Sequence, residues 1–213
     1  SSGITQMIAG KRSGTDGNYA LYIDYMDYIV FKFYSQSMWQ EYQINQTVSD
    51  GDWHHVAVVY NGNSTPLITL DGTIQSGSWF SGSVSPLQSS TAPFTIGGYD
   101  NAGLYDPFYG LIGHVRLYAG SLSTQTIDSI MAFEDSLVTK SGLHFSGYWP
   151  LSEGSGSVAG DSSGNTNDGT LNNGTSWSSL SEAAYFDGTD DYIEVPDNQY
   201  LSSDGEITLM AWI

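Results

Sequence analysis

The chain has no cysteine, so no disulfide, thiolate metal site or thiol nucleophile is available to it, and its redox compartment stays open. Positive charge is almost as scarce. Lys11, Arg12, Lys32, Arg116 and Lys140 are the five basic residues, against 23 acidic ones, for a formal net charge of −18. Nucleic acid and anionic membrane surfaces both need a cationic footprint, so neither is expected as a partner. No apolar run approaches the ~20 residues that span a bilayer, which argues against membrane insertion. No secretory signal pattern is present, as expected of a mature or excised fragment. There is no Gly-x-Ser-x-Gly elbow and no phosphate loop.

What is present is aromatic. Fifteen Tyr and six Trp help to bring the aromatic fraction to 14%, which suits strands and sugar-facing surfaces alike. The 213 residues are enough for one large β domain with a real core. Acidity at this level fits an exported protein, one from a salty habitat, or one that holds divalent cations, and equally a plain solvated acidic surface. N-x-S/T sequons at Asn45, Asn63 and Asn173 carry no weight in a chain so rich in Asn, Ser and Thr.

Period-two and aromatic runs dominate, divided by Gly, Asn, Asp and Ser clusters. They predict strands over residues 5–11, 19–25, 28–34, 41–44, 54–61, 67–70, 73–76, 94–97, 111–118, 147–150, 183–186, 192–195 and 207–213. The Asp-Gly of Leu70-Asp71-Gly72-Thr73 predicts a tight hairpin. Ser123 is placed to cap one short helix over 124–133, whose stripe is Ile127, Ile130, Met131 and Phe133. Many close strands and one short helix predict an all-β, two-sheet antiparallel sandwich. Trp53, Trp149 and Trp212 fall in strand patterns and are expected in the core. His54 and His55 are strand neighbours, so they point to opposite faces and cannot form a two-His metal site; a partnered strand histidine is expected at each.

Several short motifs occur together. They are Asp52-Trp53-His54-His55-Val56-Ala57, Leu70-Asp71-Gly72, Phe94-Thr95-Ile96-Gly97-Gly98, Gly110-Leu111-Ile112-Gly113-His114-Val115-Arg116-Leu117-Tyr118, and Phe186-Asp187-Gly188 with Asp191-Tyr192-Ile193. Together they resemble a laminin-G-like, concanavalin-A-like (pentraxin-related) module, but in a rotated order. Residues 1–137 resemble the usual C-terminal part and 147–213 the usual N-terminal part, with 138–146 as the joining linker. The resemblance implies a single jelly-roll sandwich, circularly permuted in sequence, with its first and last residues meeting in space. A permutant, a unit cut out of phase from a tandem array, and strand exchange with a second copy all fit this order.

The resemblance also implies a structural calcium. Hard cations take oxygen ligands gathered by tight loops. Asp161, Asn165, Asn167 and Asp168 in one loop and Asp187 in another supply them, with a carbonyl from Gly113. The family's acidic pair in the late strand is replaced here by Gly113 and His114. The competing reading of Asp161 and its neighbours is a set of Asx turns. No glutamate stands at the twelfth position of an EF-hand begun at Asp161.

Glycan or surface-polysaccharide binding is the function class that the resemblance implies. Tyr99, Asp100, Asn101, Tyr105 and Asp106 form an exposed-looking loop rich in aromatic and planar polar groups, and Trp39 and Trp79 are candidate platforms. Glycan-cleaving sandwiches often carry Glu-x-Asp-x-x-Glu on one strand, and no such run exists here. The expectation is a noncatalytic, extracellular or surface-borne recognition or adhesion module. The alternatives are an assembly repeat of an adhesin or viral appendage with no ligand, and, third, a polysaccharide hydrolase.

Overall fold

The computed structural model describes residues 3–13, 16–100, 103, 106–132, 144–179, 182–203 and 205–213 (of His144, the backbone only). Of the sites named above, Asn101, Tyr105 and most of the joining linker lie outside the described residues. In chain order the strands are β1 (Gln6–Ser13), β2 (Asp16–Ile23), β3 (Tyr28–Ser35), β4 (Met38–Thr47), β5 (His55–Tyr60), β6 (Leu67–Leu70), β7 (Thr73–Ile74), β8 (Gly77–Ser81), β9 (Phe94–Ile96) and β10 (Tyr109–Ala119). One helix, α1 (Thr124–Ala132), follows among the described residues. Then come β11 (His144–Trp149), β12 (Val158–Ala159), β13 (Gly169–Asn172), β14 (Ser176–Trp177), β15 (Ala184–Asp187), β16 (Tyr192–Val195) and β17 (Ile207–Trp212).

The strands form two antiparallel sheets packed as a sandwich, the expected jelly-roll class. One has nine strands in the order β12-β13-β16-β9-β1-β2-β3-β4-β8. The other runs β14-β15-β10-β17-β5-β6-β7, with β11 also pairing β10. In the eight-stranded sheet a late strand sits between two early ones. β17 lies between β10 and β5, and its ladder with β5 runs from Ile207↔Tyr60 to Trp212↔His55. β16 lies between β13 and β9. The ladder closes with reciprocal backbone hydrogen bonds between His54 and Ile213, 2.9 and 3.0 Å.

Alternation along the strands sends one set of side chains inward. Ile29, Phe31 and Phe33 of β3 enter the main core with Val56, Val58 and Tyr60 of β5. Rings meet across the sheets: Phe33 and Tyr60 have centroids 4.5 Å apart. Trp149 is fully buried, stacks on Phe94 at 4.8 Å, and donates its indole N–H to the Asn167 carbonyl at 2.8 Å.

The helix begins where Ser123 predicts it. The Ser123 hydroxyl accepts the Thr126 N–H at 3.2 Å, and Ile127 and Ile130 pack on Ala57, Tyr118 and Met210 outside the eight-stranded sheet. Asp71 (φ 50°) and Gly72 (φ 74°) take the paired left-handed conformations of a type I′ hairpin. The strand expected at 41–44 extends over Met38–Thr47, because pairing with β3 carries its polar flanks. β8, β12, β13 and β14 were not expected. They are short, with little apolar alternation, and neighbouring strands set their register.

Three expectations are corrected. Trp212 is half-buried against His55, on the face of β17 opposite Leu209 and Ala211, instead of in the core. Trp53 is 40% exposed and stands before β5, at the rim of the sandwich instead of in its core. Of the histidines, His54 is partnered by Asp50 and Asp71, at 3.0 and 2.8 Å, but His55 is not. His55 is fully buried, lies edge-on to Trp212 at 5.3 Å, and neither ring nitrogen has a hydrogen-bond partner among the described residues.

Burial, and secondarily the Arg116 charge, lowers the His55 pKa from its ordinary 6.5 to about 4. The unfolded chain therefore takes up this proton first. The stability His55 contributes is complete above pH 6.5 and is lost as pH falls toward about 4. In thermal melts across that window, His55→Phe is expected to lose stability with acid less steeply than the parent, by on the order of a few kcal/mol. Parallel acid limbs for the two proteins would refute this.

Candidate functional site

The outward side chains of β1–β4 carry a second layer of packing. Met7, Ala20, Tyr22, Val30 and Tyr99 form a buried cluster apart from the main core, on the outer face of the nine-stranded sheet. Tyr99 comes from the loop after β9. That loop returns to β1, where the Met7 N–H donates to the Asp106 carbonyl at 2.8 Å.

Arg12 is the hub of this face. Its guanidinium carbon lies 4.7 Å from the Trp39 ring centroid, 4.8 Å from Tyr99 and 5.8 Å from Tyr22. Nη1 donates to the Tyr22 hydroxyl at 2.6 Å, and Asp106 is 3.9 Å away. Stacked guanidinium–aromatic contacts of this kind are strengthened by partial burial. Trp39 lies over β2 because residue 17 is glycine: a Cβ there would stand 2.6 Å from the indole ring. Tyr34 meets Trp39 edge-on at 5.5 Å. Lys32 sits 4.9 Å from the Tyr22 centroid and 3.6 Å from Glu41. Burial raises the Asp106 pKa, against the pull of Arg12 and Lys32, and the charge of Glu41 adds to the rise.

Three of the expected glycan residues, Trp39, Tyr99 and Asp106, thus meet around one guanidinium. Tyr99 is buried and structural, not exposed as its loop composition implied. Asp100 is exposed at the surface. Trp79 is turned toward the core, edge-on to Phe33 at 6.1 Å and Tyr42 at 5.3 Å. Arg12, Tyr22, Lys32 and Tyr34 were not singled out from sequence. The available signal was that two of the chain's five cations, Arg12 and Lys32, lie before and within the aromatic run Tyr19–Tyr34 in sequence.

The two acidic loops differ in what they leave free. Asp161 accepts four hydrogen bonds: Oδ1 from the Tyr148 and Ser163 N–H groups at 3.0 and 2.8 Å, Oδ2 from the Ser163 hydroxyl and the Asn167 N–H at 2.7 and 2.9 Å. Asp168 accepts the Asp161 N–H, and the Asn165 and Asn167 amides donate to the Ser146 carbonyl. This donor set binds the loop to β11 and engages both Asp161 carboxylate oxygens, as the Asx-turn reading expects. Gly113 neighbours the Glu182 carbonyl and Ala183. In the second loop, carboxylate oxygens of Asp187, Asp190 and Asp191 lie within 4.8 Å of one another. Asp191 is buried and bonded to the Gly174 and Asp187 N–H groups, 2.7 and 2.8 Å, whereas Asp187 and Asp190 are exposed. Burial, helped by its acidic neighbours, raises the Asp191 pKa. In the first loop Asp168 is exposed, with only Oδ1 engaged among the described residues, and in the second Asp187 and Asp190 are exposed.

Removing the Asp161 carboxylate strands several donors at once. Asp161→Ala is expected to destabilise the fold by on the order of 3 kcal/mol in urea unfolding. The loss should be the same in excess calcium and in chelator. A loss confined to the calcium-containing samples would make Asp161 an ion ligand after all.

No curated protein and no solved structure matches the chain at a significant level. A family model described as the concanavalin A-like lectin/glucanases superfamily matches residues 1–128, more than half of the chain and the stretch that supplies Arg12, Trp39, Tyr99 and Asp106. With that match and its two-sheet antiparallel sandwich, the chain belongs to the concanavalin A-like lectin/glucanases superfamily.

Proposed function

We propose that this domain is a noncatalytic carbohydrate-binding module of an extracellular or surface-borne protein, and that a saccharide chain lies across the outer face of β3 and β4. The observation that supports this most is the half-buried Trp39 ring braced by Arg12 at 4.7 Å and by the edge of Tyr34 at 5.5 Å. Pyranose rings offer C–H faces to aromatic rings and hydroxyls to planar polar groups. Here Trp39 and Tyr34 are the aromatic elements, while Lys32, Glu41 and Gln43 are half-buried neighbours from the same face. Preorganisation matters because an indole already held in place loses little entropy on binding. The ion pairs Lys32–Glu41 and Arg12–Asp106 offset charge locally, which suits a neutral polysaccharide.

A second reading has its own observation. Asp106, whose carboxyl pKa is raised by burial and also by the charge of Glu41, shares this face with that second carboxyl, and glycoside hydrolysis requires a pair of carboxyls. Product release from a polysaccharide that Glu41→Gln abolishes would favour hydrolysis over plain binding.

The direct test is affinity electrophoresis or calorimetry against a panel of neutral polysaccharides. Trp39→Ala is expected to weaken retention of any bound polysaccharide by at least about tenfold, near 1.4 kcal/mol, while far-ultraviolet circular dichroism is unchanged. Unaltered retention in the variant would remove the sheet face as the site. Silence of the parent protein across the panel would favour an assembly role without a ligand.

A further inference from the structure

A cleft of about 440 Å³ opens at one end of the sandwich, away from the Arg12 cluster. Gln6 of β1, Asp27 from the β2–β3 turn, Asp52 and Trp53 from the loop before β5, Tyr109 of β10 and Ile213 are among the residues that line it. Its size is that of a small-ligand site. The rim is aromatic and open. Trp53 is 40% exposed and Tyr109 64%, and Tyr185 (36%) shares a hydrogen bond with Tyr109. Three large exposed side chains with apolar faces therefore belong to this end, and the turn that supplies Asp27 carries two more, Tyr25 and Met26, whereas scattered singles are the ordinary pattern.

The charge of the lining is one-sided. Asp27 and Asp52 are in it, and no Lys, Arg or His is. Asp27 is a buried carboxyl residue held at φ 71°, a left-handed conformation fixed in part by the hydrogen bond from the Val48 N–H to its carbonyl. Among the described residues, no hydrogen bond or ion pair engages the Asp52 carboxylate, and no ring contact engages Trp53. Aromatic faces and carboxylates share one electrostatic preference, since both attract cations. A neutral ligand leaves that preference unused, and an anionic one opposes it.

We infer that this cleft is a second binding site, selective for a sugar unit that carries a free ammonium group, such as a hexosamine. The sugar ring packs its C–H face on Trp53 and Tyr109, and the ammonium and hydroxyl groups donate to Asp52 and Asp27. The saccharide part of this inference rests on the carbohydrate-binding reading above, and the charge selectivity rests on the cleft alone.

The test is ligand-observed saturation-transfer NMR and calorimetry at about pH 6, with glucosamine and N-acetylglucosamine as probes. Parent protein, Trp53→Ala, Asp52→Asn and Trp39→Ala are compared. Trp53 and Asp52 are exposed, so both variants are expected to fold, with melting temperatures checked alongside. Glucosamine is expected to bind at least about tenfold more tightly than the acetylated sugar. Trp53→Ala and Asp52→Asn should each lose most of that binding, and Trp39→Ala should keep it. Equal binding of the two sugars would overturn the ammonium selectivity. Loss of glucosamine binding in Trp39→Ala with retention in Trp53→Ala would move the sugar to the sheet face and remove this site. No saturable glucosamine binding by the parent would also overturn it, whereas the sheet-face reading is judged separately by polysaccharide retention.

Discussion

The placement of β17 between β10 and β5 is the constraint on which the rest of the sandwich depends. Six residues near the end of the chain supply both neighbours with backbone partners, and without them two edges would open in the middle of the eight-stranded sheet. Leu209 and Ala211 enter the main core, while Met210 closes the cluster beneath α1. The same strand therefore binds the sheet laterally and both of its faces vertically. β16 joins β13 to β9 in the other sheet and turns Ile193 and Val195 into the main core. Almost all of these contacts join residues far apart in sequence. The loop-closure entropy for such pairings is spent before their packing is gained, a pattern associated with slow folding.

Much of this architecture is written in the alternation of the strands. His55-Ala57-Val59 and Val56-Val58-Tyr60 separate onto two faces as period two demands, and Asp71-Gly72 marks its hairpin without help from tertiary context. The motifs shared with the superfamily place the interior strands well because interior strands are the apolar ones. What alternation does not reveal is which polar residues a ladder will carry. Gln40 and Thr47 fall outside the expected 41–44 and are strand residues because β3 lies alongside. The Trp53 error has the same root. A tryptophan next to an apolar strand reads as core, but β5 begins only at His55, and Trp53 precedes the His54–Ile213 pair that closes the ladder.

The candidate site was legible in part for a related reason. Composition identifies which residue types recognise sugars, and Trp39, Tyr99 and Asp106 were marked on that ground. Composition does not say that Tyr99 folds back over β1 and is buried, nor that Arg12 joins all three. The acidic loops teach the converse. Asp161, Ser163, Asn165 and Asn167 have the oxygen content of a cation loop, yet their hydrogen bonds satisfy one another and the backbone of β11. A loop that must hold an isolated strand to its neighbour and a loop that must hold an ion draw on the same residues, and only the partners of each oxygen separate the two.

Charge organises the remaining surface. In a chain with −18 formal charges, any cation exposed alone would be drawn to the nearest carboxylates, and the described basic residues are indeed placed where burial or stacking fixes them. Lys11 is enclosed and paired with Asp197, Arg116 lies 4.2 Å from the Tyr148 ring, and Arg12 and Lys32 stand on the outer sheet face among aromatic rings. Burying an ion costs free energy that its partners must offset, so such placements are specific rather than adaptable. The consequence is a division of surfaces. The sheet face is the region where cations, carboxylates and aromatic rings occur together, and it is locally near neutral. The end cleft has rings and carboxylates with no cation among its lining residues. Two surfaces of one sandwich therefore present opposite selection rules on the same aromatic theme, and the position of a handful of basic residues decides which is which.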